Sequence, residues 1–145
     1  MKGKILLLAI PLLFSCSTNQ AQEKAPEIKH HNYEEVSDKT INWIDVFLKP
    51  SDYCVYFFSR TCPYCDSIRD EVIEIALTHK TTIYFCNDNA IETDPHLDAK
   101  STIGIGDINE FRIKGFPSII KVVNQVVNVH CPGKSATLNF IRTVE

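Results

Sequence analysis

Positive charge is scarce in this chain. Its 145 residues hold 15 Lys and Arg against 18 Asp and Glu, a formal net charge of −3. Nothing in that balance offers a basic surface, so nucleic acid is not an expected partner. Long apolar runs are also missing. The main one, residues 5–14, is broken by Pro11 and is too short to cross a bilayer as a mature helix. There are no internal repeats, and no nicotinamide or flavin site is visible, so no cofactor is expected. The part beyond the leader is long enough for one domain with one core.

Against these absences stands Cys62-Pro63-Tyr64-Cys65. It follows the apolar run Val55-Tyr56-Phe57-Phe58 and precedes a stretch of helical periodicity. A strand that delivers Cys-x-x-Cys onto a helix start places the first sulfur at the positive end of the helix dipole. Unpaired backbone N–H groups there favour a thiolate, the form that attacks disulfides. Cys62 is the expected nucleophile. Cys65, one turn on, is the expected resolving thiol. Pro63 suits the first turn of a helix. Zinc is the alternative for such a pair, since zinc knuckles often use Cys-Pro-x-Cys. They usually continue with Gly at a loop tip, whereas Asp66 follows here and a helix begins. No metal is therefore assigned.

Downstream lies Ile113-Lys114-Gly115-Phe116-Pro117-Ser118-Ile119-Ile120. A proline just before an apolar strand is a candidate cis-proline. Together the two motifs resemble the thioredoxin-fold oxidoreductases over about residues 40–143. The tetrad itself resembles that of glutaredoxins. The stretch around Phe116-Pro117 is more similar to thioredoxin, and the whole is most similar to small secreted bacterial thioredoxin-like proteins. The resemblance implies an α/β fold, a central mixed sheet of about four strands flanked by helices. It also implies that Pro117 faces the dithiol and that the backbone of Phe116 pairs with an extended substrate chain. Phe116, Pro117, Pro63 and Tyr64 are the candidate substrate-binding residues.

The N-terminus reads as a leader. Lys2 and Lys4 form a basic region before the apolar run, and Leu13-Phe14-Ser15-Cys16 resembles the bacterial lipobox, with Phe14 in place of the usual small or aliphatic residue. The alternative is an ordinary signal peptide with an incidental Cys. The expected organisation is a lipoprotein signal peptide over 1–15, a flexible tether over 16–36 and the domain over 37–145. Cys16 would carry the lipid. Removing residues 1–15 leaves 13 basic against 18 acidic residues, a charge of −5.

Apolar spacing at Ile41, Ile44, Phe47 and Leu48 predicts a helix over 37–48, with Ser37 or Asp38 as N-cap. A central strand over 53–59, a helix over 62–79 and a parallel strand over 81–86 follow. The helix should bury Ile68, Val72, Ile75 and Ala76 and turn Asp70, Glu71 and Glu74 to water. Residues 87–114 are a long insert. A short helix from Thr93-Asp94-Pro95 and a turn over 107–111 are expected there, with Gly104 and Gly106 as breaks. A hairpin over 118–130, turning at Asn124-Gln125, and a helix over 133–144 complete the order α-β-α-β-α-β-β-α. That order fits a thioredoxin fold lacking its first strand or holding it in the tether.

Departures from the resemblance matter. Thioredoxin's buried carboxylate, six residues before its first Cys, is here Tyr56, and no obvious buried base remains for Cys65. Thr61 replaces an aromatic residue, and Asp66 replaces a lysine. Asp66 opposes a thiolate while Arg60 and Arg69 favour one. The Cys131-Pro132-Gly133 turn does not match the Gly-rich anion site of glutaredoxins. Cys54 reads as a buried small hydrophobe. Cys54 and Cys86 should lie at opposite ends of the sheet, too far apart to bond. Cys131 reads as a partly buried loop thiol, with a third exchange partner as the alternative. His30, His31, His79 and His96 are expected in solvent, and His130 near the active-site end.

The expected activity is thiol–disulfide exchange on protein disulfides outside the cytoplasm, where disulfides persist. The protein would be exported and membrane-anchored through Cys16, facing the periplasm or cell exterior. A membrane electron donor or acceptor is an expected partner. The alternative is a non-catalytic lipoprotein that binds a metal or a partner.

Overall fold

The computed structural model describes residues 29–144. The expected leader, Cys16 and the tether up to residue 28 lie outside the described residues.

β1 (Tyr53–Phe57) is the central strand, and every residue in it is buried. Its continuous apolar run is what a strand covered on both faces requires. β2 (Ile83–Cys86) lies parallel on one side and β3 (Ser118–Val123) antiparallel on the other, with β4 (Val126–Pro132) outermost. The order β2-β1-β3-β4 is the mixed four-stranded sheet of a thioredoxin-like α/β fold. The β3–β4 hairpin turns at Asn124 and Gln125, both with positive φ (51° and 64°). Two such residues match the right-handed twist of the strands they join.

Side-chain alternation splits the core. On one face Cys54, Tyr56, Ile83, Phe85 and Ile119 pack against α2 (Arg69–Thr78) and α3 (Lys134–Ile141). On the other, Tyr53, Val55, Phe57, Ile120 and Val122 pack against Ile41, Trp43, Phe47, Phe111 and Ile113. The long insert therefore covers a sheet face. Phe111 stacks on Trp43 at 5.5 Å and meets Phe47 edge-on at 5.3 Å. The insert also lines the outer edge of β4, where Gly104 N–H donates to Val127 O and Val127 N–H to Ile105 O, both at 2.8 Å. Edge strands covered in this way offer fewer free bonding groups to other chains. Cys54 and Cys86 sit on opposite faces and at opposite ends of the β1–β2 pair, as expected.

Several expected elements differ. The helix expected over 37–48 is replaced by two 3-10 turns, Tyr33–Lys39 and Trp43–Asp45. Between them Thr40 pairs with Phe85 in a single parallel bridge. This extended break changes the facing. Ile41 and Phe47 are buried as expected, but Ile44 and Leu48 are 66% and 68% exposed. The helix expected over 62–79 is two helices, α1 (Pro63–Asp66) and α2, separated at Ser67 and Ile68. Its buried stripe is the expected one with Ile73 added. No helix starts at Pro95. A 3-10 turn forms later, at Ala99–Thr102, capped by the Asp98 side chain and ended before Gly104. β4 runs two residues longer than expected and α3 is shorter, ending at Ile141.

Residues 31–36, expected as part of a tether, belong to the folded structure. His31, Tyr33 and Val36 are buried against the first face of the sheet and α2. Asn32 and Glu35 form a reciprocal capping box that starts the first 3-10 turn. Among the described residues no helix is long and apolar enough to cross a membrane.

Candidate active site

β1 leads through Phe58, whose N–H donates to Cys86 O at 3.1 Å, into the turn that presents Cys62. Cys62 caps α1 and Pro63 takes its first position, where the missing N–H costs no helical bond. The Cys65 N–H donates to Cys62 Sγ at 3.4 Å, and the Cys62 thiol donates to Phe116 O at 3.7 Å. Both thiols are free. Cys62 is partly exposed, whereas Cys65 is 1% exposed. Burial pushes the Cys65 thiol up to about 12, against smaller opposing effects from the Ser59 backbone and the Tyr56 hydroxyl. One sulfur is thus accessible, and the other is held back beneath it.

The Phe116-Pro117 peptide is cis, the isomer expected for it, and Pro117 is buried beside the dithiol. The Gly133 N–H donates to Pro117 O at 2.7 Å and ties the start of α3 to this corner. Tyr64, Phe116, Pro117, Pro132 and Lys134 line a groove of roughly 520 Å³ beside Cys62. Tyr64 is 66% exposed and forms its outer lip. The four candidate substrate-binding residues therefore adjoin the dithiol, three along the groove and Pro63 on the exposed rim of α1.

The charges around the turn are paired. Arg69 bonds Asp66 at 2.6 Å and Asp70 at 3.1 Å, and Arg60 reaches Glu34 at 3.3 Å. Asp70, expected in water, is only partly exposed. Burial works to raise its pKa, but bonds from the His31 N–H, His30 and Arg69 outweigh this and hold it below the ordinary carboxylate value.

Tyr33 and His31 are the residues that sequence reasoning missed. Tyr33 stacks on Phe58 with centroids 3.9 Å apart, beneath the dithiol turn. His31, expected in solvent, has a side chain only 1% exposed, with Glu35 at 2.9 Å and Glu74 at 2.7 Å on its two nitrogens. The capping-box pattern Asn32-x-x-Glu35 was the available signal that structure begins before residue 37.

His130 is buried on the second face, away from the dithiol. Its Nδ1 lies 3.0 Å from the Thr102 hydroxyl, and burial lowers its pKa to about 4. Burial pushes both Cys54 and Cys86 up to about 12 and also raises Cys131, which is half-buried on β4. Among the described residues no group of three or more His, Cys, Asp or Glu is placed to hold a metal ion.

No family model and no curated protein matches this chain. Among solved structures it is similar to the reduced thioredoxin pre-protein of Schistosoma mansoni. That match has 14% identity and a TM-score of 0.45, over 66% of this chain and 80% of the other. It is also similar to thioredoxin f2 of Chlamydomonas reinhardtii, with 13% identity and a TM-score of 0.45 over 71% of this chain and 92% of the other.

Proposed function

We propose that this protein is an extracytoplasmic thiol–disulfide oxidoreductase acting on protein disulfides through Cys62 and Cys65. The asymmetry of the pair carries the reading: an accessible sulfur caps a helix beside an open groove, and a buried thiol sits one turn behind it. Cys62, as the thiolate, attacks one sulfur of a substrate disulfide, and the other substrate sulfur leaves with the electron pair. The Cys65 sulfur then attacks Cys62 Sγ, forms the Cys62–Cys65 disulfide and releases the second substrate thiolate. Run backwards, the same steps donate a disulfide. In this reading the Phe116 backbone and the Tyr64 ring hold an extended segment of substrate in the groove.

The test is reduction of insulin by dithiothreitol with and without the purified protein. Wild type should accelerate it and Cys62→Ser should not. Equal rates for the two would sink the proposal and leave a binding role.

Export and anchoring rest on the residues around Cys16. Cys16→Ser should remove lipidation and shift the protein out of the membrane fraction, because a single weak hydrophobic signal anchors only marginally. Metabolic labelling with a fatty acid, followed by fractionation, reads this. A membrane fraction unchanged in Cys16→Ser would place the anchor elsewhere.

A further inference from the structure

The groove beside Cys62 continues past the part described above. A second hollow of roughly 340 Å³ shares Phe116, Pro132 and Gly133 with it and adds Lys114. The two halves meet next to the reacting sulfur, since Phe116, common to both, accepts the Cys62 thiol on its carbonyl at 3.7 Å. Aromatic rings and prolines make up much of the walls. One lysine stands in each half, Lys134 in the first and Lys114 in the second, and both are exposed. No Asp or Glu lines either half. Cations elsewhere are answered: Arg60, Arg69, Arg112 and Arg142 each meet a carboxylate. Among the described residues neither groove lysine does. In a chain of net charge −3, the groove therefore holds a local excess of positive charge.

We propose that this groove selects extended protein segments bearing carboxylates on either side of the reacting cysteine, with Lys114 and Lys134 as specificity-determining residues; this rests on the exchange reading above. Two joined hollows with Cys62 beside their junction suit a chain that continues past its cysteine in both directions. Charge complementarity then fixes the kind of chain. A carboxylate in either half meets a lysine with no carboxylate of its own to compete, whereas a cationic side chain meets like charge. Asp66, the acidic neighbour on α1, does not cancel this, because Arg69 holds it at 2.6 Å. A single exposed ion pair contributes little, so discrimination comes from two lysines acting together and from repulsion of the wrong sign. The acidic surplus of the whole chain disfavours acidic partners at other faces, which leaves the groove as the place where such a segment is held.

The experiment uses three symmetric peptide disulfides, each made of two copies of one short peptide joined through its single cysteine. The residues flanking that cysteine are Glu in the first, Gln in the second and Lys in the third. Reduced protein is mixed with each, and the released peptide thiol is measured after an acid quench, with Cys62→Ser as background. Each rate is divided by the rate of the same peptide with dithiothreitol, which removes the peptide's own reactivity. Wild type should favour the Glu peptide over the Lys peptide by about tenfold at low salt, with the Gln peptide between them. In 1 M salt, where screening acts over about 3 Å, the ratio should approach one. Lys114→Glu with Lys134→Glu should invert the ratio, and Lys114→Arg with Lys134→Arg should keep it. The preference is a ratio within one protein, so a general loss of activity in a variant cancels. If the Glu pair did not fold, Lys114→Gln with Lys134→Gln, expected to bring the ratio close to one, would decide. Equal rates on the Glu and Lys peptides in wild type, or a preference that survives charge reversal, overturn the inference and leave the exchange reading intact. No reduction of any peptide above the Cys62→Ser background overturns both.

Discussion

Cys65→Ala should stop turnover and accumulate disulfide-linked adducts between Cys62 and its substrates. The resolving step depends on a thiol held one turn from Cys62, its backbone N–H already bonded to Cys62 Sγ at 3.4 Å. A well-oriented intramolecular group acts at an effective concentration on the order of 10⁵ M or more, and millimolar external thiol cannot replace it. Release of the mixed disulfide should therefore slow by about a thousandfold or more, while the first attack by Cys62 is retained. Non-reducing gels of cells expressing Cys65→Ala should show adducts that dithiothreitol dissolves and that Cys62→Ser abolishes. Wild-type turnover of insulin by Cys65→Ala, with no adducts, would remove Cys65 from the reaction.

His31→Ala should lower stability by about 1–3 kcal/mol and expose residues 29–36 to proteolysis. The buried ring joins Glu35 of the first 3-10 turn to Glu74 of α2, while the His31 N–H bonds Asp70 at 3.1 Å. The Glu35 bond is the main cause that raises the His31 pKa above its ordinary 6.5. The stabilisation is thus fully present below about pH 6.5 and is lost as pH rises through the higher folded value. Asp70 has the opposite sign. Its lowered pKa contributes stability above the ordinary 3.8 that is lost as pH falls. The N-terminal latch should therefore be firmest between the two windows. Urea midpoints measured at about pH 6 and about pH 9 should fall with pH in wild type and stay closer together in His31→Ala. The same dependence in both proteins would show that the His31 ring does not carry it.

The dithiol was legible because its signals are local. Strand, Cys-Pro-Tyr-Cys and helix are consecutive, and Pro63 and Cys62 shape the helix start by themselves. The β3–β4 hairpin was legible for the same reason, since two residues at Asn124-Gln125 set its turn. The segment over 37–48 was misread because apolar spacing describes which residues are buried and not which backbone buries them. Ile41 and Phe47 reach the second face from 3-10 turns broken by an extended pair, so Ile44 and Leu48 fall outward. The break in the helix over 62–79 leaves Ile68, Val72, Ile75 and Ala76 on the buried side, and the apolar pattern there carries no trace of it.

Read alone, the chain determined the mixed α/β architecture, the adjacent cysteine pair at a helix start and which of its sulfurs is the more exposed. Each of these follows from residue order within a few turns of chain, where backbone geometry and side-chain type act directly. Tertiary structure decided what lies beneath the pair. Tyr33 stacks on Phe58 next to a His31 ring held between Glu35 and Glu74. The long insert became the cover of a sheet face because Phe111 found Trp43 and Phe47. These contacts join residues distant in sequence, and their free energy comes from desolvation and packing that exist only once the sheet has formed.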